Sequence, residues 1–251
     1  MIIIKLLSVC GVSSTGKTTT IENIIKELKK RRYTIGSVKE IHFEGFNIDD
    51  KGSNTYRHSK AGANPVTARG YKETDVLYNS RLNLEKILYH YTQEFVLLEG
   101  IEEGNFPKII TANNTDEIEE RLDDTVIAIS GKISNKIDKY KDLPVINAIK
   151  EVDKLVDLIE DKCFEKMPDF PEECCSACGF SCEELTKMII KGKAKREDCI
   201  INETNIKLFI NNKEIEIVPF VQKLLYNSVL GVVSELDGYK EGKSIKVEVG
   251  S

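Results

Sequence analysis

No apolar stretch in the 251-residue chain reaches the ~18 residues that a helix needs to cross a bilayer, so the sequence carries no helical membrane span. An excess of positive charge is missing too. Lys and Arg number 36 against 41 Asp and Glu, for a formal charge of −5. That balance removes the usual electrostatic reason to expect non-specific nucleic-acid binding. Internal repeats and low-complexity tracts are absent. Apolar residues make up 41% and charged residues 31%, a globular composition that argues against disorder and against a dominant coiled coil. The start, MIIIKLLSVCGV, has some of the hydrophobicity of a signal peptide, but it runs into a glycine-rich loop that cleavage would destroy. The expectation is a soluble, cytoplasmic chain with one large domain, or a large and a small one, and with no membrane or nucleic-acid partner.

The first two-thirds alternate between two periodicities. Ile2–Cys10 is a nearly continuous apolar run, as in a strand buried on both faces of a parallel sheet. Ile21, Ile24, Ile25 and Leu28 then recur at helical spacing, with Glu22, Lys26, Lys29 and Lys30 opposite. Thr34–Lys39, Phe95–Leu98, Lys108–Ala112 and Thr125–Ser130 read as further strands, and Ile149–Ile159 as an amphipathic helix. Strands alternating with helices predict an α/β fold with a mostly parallel sheet. Pro168 and Pro171 bracket a boundary. Beyond it, Ile206–Ile210 and Glu214–Val218 read as paired strands. A helix follows from Pro219 to about Ser234, and Ser244–Val249 alternates like a last strand. The expected division is 1–165, a nucleotide-binding domain; 166–200, a cysteine-rich segment; and 201–251, a small α+β part.

Gly11-Val12-Ser13-Ser14-Thr15-Gly16-Lys17-Thr18 fits the phosphate-loop pattern G-x-x-x-x-G-K-[ST] at every fixed position. It sits where that pattern requires, between a buried strand and an amphipathic helix. The glycines let backbone N–H groups turn inward around phosphate oxygens, and the helix N-terminus adds a favourable dipole. Nucleotide contacts are expected from Gly11, Ser13, Ser14, Thr15, Gly16, Lys17, Thr18 and Thr19. Lys17 supplies a point charge to the β/γ-phosphates, and Thr18 a hydroxyl to Mg²⁺. A metal-side carboxylate belongs at the end of another buried strand, and Glu99 stands there. Asp49 and Asp50 are weaker candidates. Lys17, Thr18 and Glu99 are thus the candidate catalytic set.

Asn135-Lys136-Ile137-Asp138 matches the guanine-reading pattern N-K-x-D, but five residues separate it from the preceding strand. In a Lys- and Asn-rich chain the match stands equally well as coincidence, so GTP and ATP both stay open on this ground.

The phosphate loop, Lys39 and the run His42-Phe43-Glu44-Gly45-Phe46-Asn47-Ile48-Asp49 together resemble the MobB family of molybdopterin-guanine dinucleotide biosynthesis. So do Gly52–His58, Ala61-Gly62-Ala63, and Glu99-Gly100 followed by Pro107-Lys108-Ile109. The resemblance is collinear over about residues 1–160. It implies GTP with Mg²⁺ as ligand and a homodimer. As partner it implies a molybdopterin nucleotidyltransferase or a molybdenum or tungsten enzyme. It also makes Asp49, Arg57 and His58 candidate phosphate or partner contacts. Two positions depart from the family pattern: Glu40 stands where a histidine is usual, and Asn54 where an aspartate is usual.

Cysteine is the unusual component. Of 7 in the chain, five fall between Cys174 and Cys199. A secreted disulfide scaffold would be shorter and more evenly studded, so the clustering points to metal. Cys175, Cys178, Cys182 and Cys199 have the spacing C-x₂-C-x₃-C-x₁₆-C. Zinc ribbons usually show two separated C-x₂-C pairs, whereas three close ligands and one distant one favour a [4Fe–4S] cluster, with zinc as the rival. The stretch is similar to the small iron–sulfur domain of corrinoid iron–sulfur proteins, with Gly192-Lys193 preceding the last cysteine. Cys174 is an alternative to Cys175, and Cys10 and Cys163 read as buried apolar residues.

The reading is a slow, GTP-binding accessory protein for molybdenum- or tungsten-pterin cofactor maturation that carries a [4Fe–4S] cluster. No arginine finger or glutamine base is placed by motif, so stimulation of hydrolysis is left to a partner. The alternative is a nucleotide-gated electron-transfer or cluster-delivery protein.

Overall fold

The apolar run at the start forms the centre of a parallel sheet. In the computed structural model, β1 spans Lys5–Cys10, and its residues from Leu6 onward are buried because both sheet faces are covered. The structure describes residues 4–168, 178–199, 206, 208–210, 213–215, 217, 219–237, 239–240 and 245–247. The chain divides into two compact units, Met1–Lys166 and Met167–Ser251. The cysteine segment and the C-terminal part therefore fall within one unit.

The first unit adds α1 (Lys17–Lys30), β2 (Ile35–Lys39), α2 (Asn54–Lys60), β3 (Val66–Arg69), β4 (Thr74–Leu77) and α3 (Leu84–Leu88). Then come β5 (Phe95–Glu99), β6 (Lys108–Thr111), α4 (Thr115–Glu119), β7 (Val126–Ser130), a 3₁₀ turn at Gly131–Asn135, the two-residue strands β8 (Lys139–Tyr140) and β9 (Leu143–Pro144), and α5 (Val152–Lys162). The main sheet has the order β2-β5-β1-β6-β7, with every pairing parallel. All five strands thus end on one edge, and β1 lies where the strand order reverses, between β5 and β6. An open α/β sheet binds ligands in the crevice at that place.

Helix α1 buries Ile21, Ile24 and Leu28, and α5 buries Leu155, Val156 and Ile159. Each such side chain contributes about 1.5–3 kcal/mol when fully shielded from water. Arg31 ties the two helices together. It donates to Glu27 of α1, and to Asp157, Glu160 and the Asp153 carbonyl of α5. Beneath the sheet edge, Cys10, Ile110, Ile118 and Ile129 share one apolar cluster, and Leu6, Val96, Leu98 and Phe106 another.

Several elements differ from the sequence reading. Helix α5 starts at Val152 rather than Ile149, because the Asn147 side chain accepts from the backbone N–H groups of Ile149 and Lys150 and holds a turn there. The antiparallel hairpin β3–β4 was not anticipated. It stands outside the main sheet, and of its residues only Val66 is buried, so it has no apolar alternation to read.

In the second unit, α6 spans Cys182–Ile190. Ser181 caps it by accepting from the Glu184 N–H, while the Glu184 side chain accepts from the Ser181 N–H. A short 3₁₀ turn follows at Arg196–Asp198. Strands β10 (Leu208–Ile210) and β11 (Lys213–Ile215) pair antiparallel, and α7 runs from Pro219 to Val233. The strand expected over Ser244–Val249 is not formed at 245–247, its described part. Ile245 and Val247 are exposed there, so the alternation has no face to bury. No helix among the described residues is long and apolar enough to cross a membrane.

Candidate functional site

The chain leaves β1 at Cys10 into the glycine loop, and α1 starts at Lys17 with Gly16 as its N-cap. Gly11 holds φ +141°, and a Cβ there would lie 2.1 Å from the carbonyl oxygen of Thr111. Only glycine fits so close to β6. Ser14 takes φ 63°, a left-handed conformation that costs a non-glycine residue about 1–2 kcal/mol. The neighbouring contacts hold it. The Thr15 hydroxyl donates to Val12 O at 2.9 Å and lies 2.7 Å from the Thr111 hydroxyl, which also bonds Cys10 O at 3.1 Å. From the other flank, the Lys132 N–H donates to Thr15 O at 3.0 Å. The loop is therefore held in shape by β6 on one side and by the turn after β7 on the other.

A cleft of about 900 Å³ opens above this loop at the strand ends. Gly11, Ser13, Ser14, Gly16, Lys17, Thr18, Thr19 and Glu99 all line it. Thr15 lies behind the loop, fully buried, and acts there as the tie to Thr111. The first turn of α1 carries no acidic side chain of its own, and the positive helix end faces the cleft. Lys17 Nζ donates to Gly11 O at 2.8 Å and Val12 O at 2.7 Å. Burial pushes its ammonium pKa down, Glu99 opposes that shift, and Lys39 adds to it, for a net lowering.

Glu99 closes β5 and is largely buried. Its Oε1 accepts from the Thr18 hydroxyl at 2.9 Å and from Lys39 Nζ at 2.5 Å. A hydroxyl and a carboxylate side by side at a phosphate loop form a hard oxygen donor pair of the kind Mg²⁺ takes. These two residues fit a divalent cation by their chemistry.

The other candidates are placed elsewhere. Asp49 accepts from the hydroxyls of Ser53 at 2.6 Å and Thr55 at 2.9 Å, and Ser53 in turn accepts from the Tyr56 N–H at the start of α2. Its carboxylate serves the entry to that helix. Asp50, Arg57 and His58 do not line the cleft, and Arg57 and His58 sit in the last turn of α2. None of Asn135, Lys136, Ile137 and Asp138 lines it either; Asn135 Oδ1 accepts from Asn147 at 3.1 Å and Lys150 at 3.4 Å.

Three cleft residues escaped the sequence reading altogether: Glu102, Arg121 and Lys132. Arg121 follows the short helix α4, where its guanidinium donates to Glu102 at 3.1 Å and Glu120 at 3.0 Å. No motif marks it. Lys39, Glu40 and His42 also line the cleft. Lys39 was visible only as part of the family resemblance, and its position opposite Glu99 follows from the β2–β5 register.

Of the expected cluster ligands, Cys175 lies outside the described residues, as does Cys174. Cys178 precedes α6 through a turn in which Gly179 takes φ +83°, Cys182 opens the helix, and Cys199 follows the 3₁₀ turn; Cys182 and Cys199 are buried. Among the described residues, no three His, Cys, Asp or Glu side chains gather into a metal-binding group. Burial pushes the thiols of Cys10 and Cys163 up to about 12, so both are protonated and inert at neutral pH.

A family model described as MobB, molybdopterin guanine dinucleotide synthesis protein B, matches residues 6–132. A Methanocaldococcus jannaschii protein provisionally named a molybdopterin-guanine dinucleotide biosynthesis adapter is 29% identical over 98% of this chain and 97% of its own length. The adapter protein of that name from Haemophilus influenzae is 25% identical over 63% of this chain and 89% of its own. The crystal structure of Bacillus subtilis MobB superimposes with a TM-score of 0.52 at 22% identity, covering 61% of this chain and 97% of that one. That likeness concerns the fold.

Proposed function

The chain belongs to the MobB family, and from that premise we propose that it is a guanine-nucleotide-binding adapter in molybdopterin guanine dinucleotide biosynthesis. The observation that carries the reading is the convergence of Lys17, Thr18 and Glu99 on one cleft above a preformed phosphate loop. Lys17 holds the β/γ-phosphates, exchanging its two carbonyl partners for phosphate oxygens. Thr18 and Glu99 would hold Mg²⁺, which neutralises phosphate charge when bound. The backbone N–H groups at the start of α1 receive the remaining negative charge. Hydrolysis is slow without a partner, since the arginine in the cleft, Arg121, is engaged by Glu102 and Glu120. The partner is a molybdopterin nucleotidyltransferase or a molybdenum or tungsten enzyme.

The second unit adds a [4Fe–4S] cluster on Cys175, Cys178, Cys182 and Cys199, a proposal supported by the cysteine spacing and by the resemblance of that stretch to the small iron–sulfur domain of corrinoid iron–sulfur proteins.

Equilibrium titration with a fluorescent GTP analogue tests the nucleotide reading. Saturable, Mg²⁺-dependent binding that GTP and GDP displace more effectively than ATP is expected. A folded protein that binds no nucleoside triphosphate overturns it.

A further inference from the structure

We propose that Lys39 stands in for the divalent cation, covering the Glu99 carboxylate when the metal is absent and competing with it for the same oxygen. This rests on the Mg²⁺–nucleotide reading of the cleft and deepens it by naming the residue that sets the metal requirement.

The sheet builds the pair. Lys39 and Glu99 are direct register partners at the ends of β2 and β5, and the Glu40 N–H donates to Glu99 O at 2.9 Å, which fixes the backbone beside them. Glu99 Oε1 then carries two donors, Lys39 Nζ at 2.5 Å and the Thr18 hydroxyl at 2.9 Å. A carboxylate oxygen has room for about two such bonds. A metal ion drawn to that oxygen must displace one of them. Thr18 need not leave, because its lone pairs remain open to a cation while its proton stays on Glu99. Lys39 must leave, because an ammonium has no lone pair and repels a second cation.

The exposures fit this division. The Glu99 side chain is 12% exposed, whereas that of Lys39 is 56% exposed on a flexible stem that can swing away. Lys39 is the one ion-pair partner of Glu99 among the described residues, since Lys17 spends its bonds on Gly11 O and Val12 O. Without Lys39 and without metal, a nearly buried carboxylate would face the triphosphate uncovered.

The test is nucleotide affinity of the full chain, measured with a fluorescent GTP analogue in EDTA and across a Mg²⁺ series. Wild type is compared with Lys39→Met, which keeps the stem and loses the charge, and with the double variant Lys39→Met/Glu99→Gln; thermal melts check that each is folded. Lys39→Met is expected to bind about tenfold more weakly than wild type in EDTA and within about twofold of it at saturating Mg²⁺. By linkage, it then needs less Mg²⁺ for half-maximal binding. The double variant, with no carboxylate left to cover, regains binding in EDTA. The same loss with and without Mg²⁺, or no recovery in the double variant, overturns the proposal. Wild type that binds nucleotide under neither condition overturns the nucleotide reading and this inference with it.

Discussion

The two units of the chain assemble their chemistry over different distances. In the first, Thr18 and Glu99 meet at 2.9 Å although 81 positions separate them. The parallel register of β2, β5 and β1 brings Lys39, Glu99 and the phosphate loop to one sheet edge. In the second, the candidate ligands Cys175 to Cys199 lie within a single short stretch, and their pattern owes nothing to long-range topology. A site built by a sheet is held even when empty, because the strands are fixed by their own burial. A site built from a local loop depends on its ligand for shape, as metal binding and folding are coupled in small metal domains.

The sharpest test of this contrast is all-or-none. Anaerobically purified protein should be brown, with about four irons and four sulfides per chain. Cys178→Ser or Cys199→Ser should bleach it, while Cys10→Ser and Cys163→Ser should leave colour and iron unchanged. Stoichiometric zinc without sulfide would refute the cluster, and nucleotide binding should persist in all four variants.

Next in size is Gly11→Ala. Its Cβ would sit 2.1 Å from Thr111 O, a contact the backbone must move to relieve. A stability loss of about 2–4 kcal/mol is expected by chemical denaturation, with triphosphate affinity lost as well. Wild-type stability would break the claim that the loop is held in shape by its contact with β6. Thr111→Val is milder. It removes the hydroxyl shared by Thr15 and Cys10 O, at a cost of about 1–2 kcal/mol by the same measurement.

How much of this was legible beforehand depends on whether a residue's role is local. The phosphate loop could be read because glycine spacing and flanking periodicity are local, and Glu99 because it ends an apolar run. The partnership of Lys39 with Glu99 was not legible, since it depends on β5 inserting between β2 and β1. Arg121 and Lys132 follow a five-residue helix and a strand end, which carry too little pattern to place a side chain. Asp49, a weaker metal candidate and a phosphate or partner contact by resemblance, accepts from Ser53 and Thr55 at the start of α2, a pairing that no motif announces. Legibility in the second unit runs the other way, with a clear cysteine pattern and no metal-binding group among its described residues.

The smallest effect concerns the thiols of the first unit. Folded Cys10 and Cys163 keep their protons up to about 12, against an ordinary thiol value of 9.0. Above pH 9 the unfolded chain releases protons that the folded chain retains, so stability should fall as pH rises from about 9 towards 12. Cys10→Ala/Cys163→Ala should flatten that slope in denaturation curves taken across the range. Neither thiol should react with iodoacetamide in the native protein at pH 8; rapid labelling of Cys10 would show that the core beneath the phosphate loop is open.

The central claim is that the cleft above the phosphate loop holds a nucleoside triphosphate through Lys17. Isothermal titration of Mg²⁺·GTP into wild type and Lys17→Ala addresses it most directly. A charge-assisted contact contributes about 1.5–3 kcal/mol, so the account predicts saturable binding by wild type and at least about tenfold weaker binding by the variant. Equal affinities in two folded proteins would contradict it.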